Sequence, residues 1–178
     1  MHRFEKRELT RDFDIRWVRC NCTPIDLERI AIFTCGIEEI PKRQGNFLNS
    51  LLVLENDLHR FLVEVTVELP LQQRHQRQQL FKGRINGCQL MGYQSKSRVL
   101  NAVLKKLVQS GNYPKQCPLL AHVNYTSTHF TLNPDHFPPY TPDMKFITKL
   151  EFYADKNIPR AMFKVLVEAE VLRRSPRP

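Results

Sequence analysis

Five cysteines are the residues of this chain best suited by type to do chemistry, and their spacing limits what that chemistry is. Cys20 and Cys22 stand in a Cys-Asn-Cys run, too close together for the C-x₂-C of a zinc knuckle. On an extended strand the alternation of side chains sends both to one face, so only one of them is committed to a given partner. Cys88 and Cys117 bracket a segment of helical periodicity. A bridge between them would staple that segment to its surroundings and stabilise the fold by about 3 to 4 kcal/mol through loop closure. Two buried thiols are the alternative. An odd count permits two disulfides and one leftover thiol. His122, His129 and His136 recur every seven residues, but on a strand running into a proline-rich loop they do not converge, and no metal is expected. The chain also lacks a nucleophile elbow, an H-E-x-x-H pair, a phosphate-cradling glycine loop and a dinucleotide fingerprint. No catalytic residue and no cofactor is therefore expected, and the protein is read as a non-enzyme. Asn21 and Asn124 open glycosylation sequons, a number that composition alone could supply.

Charge is the second chemical signal. Lys and Arg total 27 against 18 acidic residues, for a net charge of +9. No acid occurs from Leu69 to Pro134, where Arg74, Arg77, Lys82, Arg84, Lys96, Arg98, Lys105, Lys106 and Lys115 all fall. Such a field favours anionic partners without choosing among lipid, glycan and nucleic acid. Its interleaved aromatics, Phe81, Tyr93 and Tyr113, are too few for a base-stacking surface, so nucleic acid is kept only as the alternative partner. Mean hydropathy is -0.42, and no run approaches the roughly 18 apolar residues of a membrane helix. The first 19 residues alternate charge instead of forming an apolar leader, which by itself points to the cytosol.

The elements that must position these residues are mainly strands. From Arg60 to Leu69, Phe61, Val63, Val65 and Val67 alternate with polar neighbours, a half-buried strand. Lys145 to Tyr153 repeats the pattern with Phe146, Thr148, Leu150 and Phe152 on one face. Ala161 to Leu172 does so with Phe163 and Val165, and the last two strands read as a hairpin. Weaker strands are expected at Asp14–Cys22, Ile30–Glu38, Phe47–Leu54, Leu80–Cys88 and Ala121–Leu132. Between Ser97 and Ser110 the apolar spacing changes to that of one helix, capped by Ser95 or Ser97 and ended by a left-handed Gly111, with Lys105 and Lys106 facing away. Residues 72–79 read as a polar connection. The expected fold is a β-sandwich of about eight strands with one helix. A charged segment at 1–19, a single domain at 20–174 and a tail at 175–178 complete the division.

Several segments together resemble a known family. Gly87-Cys88-Gln-Leu-Met, the helix, Asn112-Tyr-Pro-Lys-Gln-Cys117-Pro118, Asn124-Tyr-Thr and Phe137-Pro-Pro-Tyr-Thr-Pro142 are similar to a domain-of-unknown-function family expanded in insects. That family in turn is similar to the ML lipid-recognition domains, and some members are secreted in chemosensory organs. Cys22-Thr-Pro-Ile-Asp26 and Cys35 match its opening, and Asn86 stands where the family usually has an acid. The resemblance implies a mainly β, immunoglobulin-like sandwich whose sheets are splayed around an apolar ligand, and export from the cell. It implies disulfides on Cys22, Cys35, Cys88 and Cys117, paired in that order, with Cys20 left over.

On this reading the protein binds a lipid, hydrocarbon or pheromone-like molecule, with an anionic lipid and a membrane receptor as further partners. Phe61, Val63, Val65, Phe146, Leu150, Phe152, Phe163 and Val165 would line the pocket, and Arg77 and Lys82 would stand at its rim. The same apolar faces could instead close into a dry core.

Overall fold

Alternating β-branched and aromatic residues fold here as two antiparallel sheets laid face to face. The computed structural model of the chain describes residues 11–42, 45–71 and 76–174. Strands β1 (Phe13–Pro24), β2 (Ile30–Glu39), β3 (Asn46–Leu54), β4 (Leu62–Pro70) and β5 (Arg77–Asn86) precede helices α1 (Gly87–Met91) and α2 (Arg98–Gln109). Strands β6 (Tyr125–Phe130), β7 (Lys145–Tyr153) and β8 (Phe163–Arg173) follow. The larger sheet has the order β1-β8-β7-β4-β5 and the smaller β2-β3-β6. This is the mainly β sandwich of eight strands that the patterning implies.

Several boundaries move, each for a physical reason. The domain starts before Cys20, because Phe13, Ile15 and Trp17 of β1 are buried between the sheets and pay for the charged residues that alternate with them. Residues 1–10 of the charged segment and 175–178 of the tail lie outside the described residues, as do 72–75 of the polar connection with Arg74. Of that connection, Arg77–Gln79 already belongs to β5. The strand expected through Cys88 stops at Asn86, whose side chain accepts from the amides of Cys88 and Gln89 and caps α1. A carboxylate at this position could accept the same two bonds.

Helix α2 starts as expected, with the Ser97 hydroxyl accepting from the Leu100 amide. Its end differs. Ser110 is the C-cap in right-handed geometry, and no glycine among the described residues has a positive φ. Gly111 is needed for closeness instead: it bridges to Ser127, and a Cβ on it would lie 1.6 Å from the Thr126 carbonyl oxygen. Gly87 has a similar reason, since a Cβ there would meet the Phe61 ring at 2.1 Å.

Disulfides join Cys22 to Cys35 and Cys88 to Cys117. The first ties β1 to β2, which are edge strands of opposite sheets. The second ties α1 to the segment before β6. Edges β5 and β6 on the other side are spanned by the helical excursion, with α1 against β5 and α2 against β6.

Candidate functional site

Register locates the interior row by row. Across the inner face of the larger sheet, Val65, Leu150, Val165 and Cys22 form one row, and Val67, Thr148, Val167 and Cys20 form the next. Phe146 and Ala169 follow, with Trp17 beside them. On the smaller sheet the rows are Phe33 with Leu52 and Tyr125, then Cys35 with Ser50 and Ser127, then Ile37 with Leu48. The Sγ atoms of Cys20 and Cys35 lie 2.7 Å apart, which shows that the two middle rows face each other.

The buried core divides at that middle level. One cluster holds Phe61, Val63, Val65 and Phe163 with Phe33, Leu52 and Met162. The other holds Phe13, Ile15, Trp17, Phe130, Ala169 and Val171. Between them lies a belt of inward-facing apolar side chains that are only half-buried: Phe146, Leu150, Val165, Val67 and Val167. Helix α2 packs along β6 at the open side of this interior. Leu100 and Leu104 pack toward the first cluster and Val103 and Leu107 toward the second, yet no residue of the helix is fully buried.

The expected pocket residues therefore separate into two groups. Phe146, Leu150, Phe152 and Val165 are half-buried, whereas Phe61, Val63, Val65 and Phe163 are dry core. The dry group is held by aromatic packing: Phe152 stacks on Phe163 at 4.2 Å between centroids, and Phe33 meets Phe163 edge-on at 4.6 Å. Val67, Val167 and the α2 stripe complete the belt. Alternation shows that Val67 and Val167 face inward, but only register shows that they share one row with Thr148 and Cys20.

The expected rim is also relocated. Lys82 pairs with Thr66 in the β4–β5 register, on the face opposite Val65 and Val67, and its Nζ lies 3.7 Å from Glu64. Arg77 pairs with Glu68 at 3.3 Å, and Lys149 meets the same carboxylate at 3.1 Å. Arg84 joins Glu64 at 2.9 Å. These cations cover the outer, wet face of the larger sheet. Burial pushes the Glu68 carboxyl up, but Lys149 and Arg77 outweigh it and leave it below its ordinary value. Tyr153 is pushed up to about 12, chiefly by donating to the Glu151 carboxylate. Lys105 and Lys106 are exposed on the far side of α2, as the helical periodicity requires.

Polar atoms mark the waist of the sandwich. Ser127 is 2 % exposed, and its hydroxyl meets that of Ser110 at 2.7 Å. The Tyr113 hydroxyl, raised above its ordinary pKa by burial, lies near Ser50. Burial likewise pushes the Cys20 thiol up to about 11. Two open clefts lie at the ends of the sandwich. One, of about 630 Å³, lies among Ile15, Asn46, Phe47 and Leu132 beside the Asp14–Arg174 ion pair. The other, of about 260 Å³, is bordered by Arg60, Phe61 and Asp155. Of the histidines, His129 stacks on Phe47 and lies 3.4 Å from Glu38. Asn21 and Asn124 are both exposed.

Residues 55–148 match a family model described as protein of unknown function, DUF1091. The chain belongs to that family. The matched region runs from the end of β3 to the middle of β7, and so contains both strands and both helices of the excursion side. No curated protein sequence matches the chain significantly. Among solved structures, chicken MD-1 complexed with lipid IVa aligns over 90% of this chain and 98% of its own, at 10% identity and a TM-score of 0.35. A likeness at that level carries no argument about this family member.

Proposed function

We propose that this protein is a non-enzymatic carrier that holds an apolar or amphipathic molecule, a lipid, hydrocarbon or pheromone-like ligand, between its sheets beneath α2. The observation that carries the reading is the half-buried apolar belt between two dry clusters. Full burial of a Val, Leu or Phe side chain is worth about 1.5–3 kcal/mol, and each residue of the belt leaves a part of that uncollected. A ligand lying along the belt supplies the missing contacts. Two disulfides suit export to an oxidising compartment, where such a carrier would meet its ligand.

The test is displacement of a fluorescent apolar probe by alcohols of increasing chain length, at low and high salt. A ligand in the belt gains about 0.8 kcal/mol per buried methylene, roughly fourfold in affinity, with little dependence on salt. The contrary result, affinity flat with chain length and falling steeply with salt, belongs to a basic module for nucleic acid or another anionic polymer.

A further inference from the structure

The middle rows of the interior carry a few hydroxyls among apolar residues, and no charge. Thr148 is flanked in the larger sheet by Val67 and Val167, and Ser50 and Ser127 lie in the facing row. Ser110 reaches Ser127, and Tyr113 reaches Ser50. These hydroxyls form a waist at the level where the two apolar clusters part. Ser110 and Ser127 satisfy each other, and Tyr113 lies near Ser50. Thr148 is different: its hydroxyl has no hydrogen-bond partner among the described residues, although the residue faces inward and is half-buried. No buried side-chain N or O among them is left both unpaired and shut from solvent, so the Thr148 hydroxyl borders accessible space.

The cations of β4's neighbours occupy the other face. Lys82, Arg84 and Lys149 alternate outward and are already paired with Glu64 and Glu68. A carboxylate or phosphate drawn to the waist would find no counter-ion there, and an unpaired buried charge costs far more than a buried hydroxyl or carbonyl that finds one hydrogen bond.

We propose that the enclosed part of the ligand is uncharged and carries one hydroxyl, ester or ketone oxygen, which sits at the waist against Thr148 while hydrocarbon extends toward each cluster. This rests on the belt being the binding site. It adds the chemical class: a neutral oxygenated hydrocarbon, in preference to a plain alkane or an anionic head group. A charged group on the same molecule would have to remain outside, past Phe81, which is half exposed on the β5 edge.

Equal-length alkane, alcohol, methyl ester and carboxylate, each displacing the same neutral fluorescent probe at pH 8, test the assignment. The alcohol and ester should bind about tenfold tighter than the alkane and the carboxylate, the effect of one satisfied hydrogen bond. Thr148→Val keeps the shape and should remove most of that preference while leaving the alkane unchanged, and Thr148→Ser should restore it. A carboxylate that binds as well as the ester, or a preference that survives Thr148→Val, would overturn the proposal while leaving the belt as the site. If none of the four displaces the probe, the binding reading itself fails, and this proposal with it.

Discussion

Replacing Cys22 and replacing Cys35 should have very different consequences, although each removes one end of the same disulfide. The bridge closes a span of 13 residues, which the chain-entropy relation values at about 2.9 kcal/mol. Cys35→Ser leaves both β1 cysteines without a partner on β2 and should lose that amount. Cys22→Ser leaves Cys20, whose Sγ already lies 2.7 Å from that of Cys35 and whose separation from it is 15 residues. Refolded with a glutathione disulfide buffer as oxidant, this variant should form Cys20–Cys35. The entropic values of the two closures differ by only about 0.1 kcal/mol. Denaturant melts of both variants, with peptide mapping under non-reducing conditions, read the outcome. Cys22→Ser should stay within about 1 kcal/mol of the parent, allowing for a small shift of β1. Equal losses in the two variants, with Cys20 unbridged in Cys22→Ser, would refute the argument that the two β1 sulfurs are interchangeable toward Cys35. In the intact protein the Cys20 thiol is held protonated by burial, with its pKa at about 11, so it attacks the neighbouring bridge slowly near neutral pH.

Three further outcomes are expected. Gly111→Ala should destabilise the fold by about 3 kcal/mol or more in a denaturant melt, because its Cβ would collide with the Thr126 carbonyl oxygen at 1.6 Å and backbone must move. Glu68 and Glu151 both have pKa values lowered from 4.5 in the folded protein. Their contribution to stability is thus complete above that value and is lost as pH falls through the folded pKa values, and Glu68→Gln should flatten the acid side of a stability-against-pH curve. Replacing Arg77 and Lys82 with Gln should leave uptake of a neutral ligand unchanged in the probe-displacement assay, as should replacing Lys105 and Lys106, since both pairs point away from the belt.

The strands were legible because alternation is a local property. Lys145–Tyr153 has the expected bounds, and the inward set Phe61, Val63, Val65 and Val67 follows from counting by twos. The α2 helix was legible for the same reason with a longer period. What alternation lacks is knowledge of the partner strand. Arg77 and Lys82 looked like rim residues because they lie in or just beyond a polar connection, but pairing with Pro70 and Thr66 turns them to the outer face. Likewise, four aromatic and aliphatic positions on one face cannot reveal that Phe163 stacks shut while Val165, two residues on, does not. The waist was invisible for a further reason. Ser50, Ser127, Ser110 and Tyr113 come from separate parts of the chain and carry no motif; their meeting depends on β3–β6 register and on the close approach that Gly111 allows.

The two sides of the sandwich differ in what it would take to part them. At one side Cys22–Cys35 is a covalent tie between the edge strands, and separating β1 from β2 there means breaking a bond. At the other side β5 and β6 belong to different sheets, and the chain between them passes through α1 and α2. Cys88–Cys117 anchors the base of that excursion without reaching α2 itself, so the disulfide limits how far the helix can travel while leaving its apolar stripe free to lift. Because Leu100, Val103, Leu104 and Leu107 are half-buried rather than interlocked, lifting α2 sacrifices less packing than displacing any strand of either dry cluster. Local opening therefore falls on the β5–β6 side, while the stapled side and both clusters keep the fold intact.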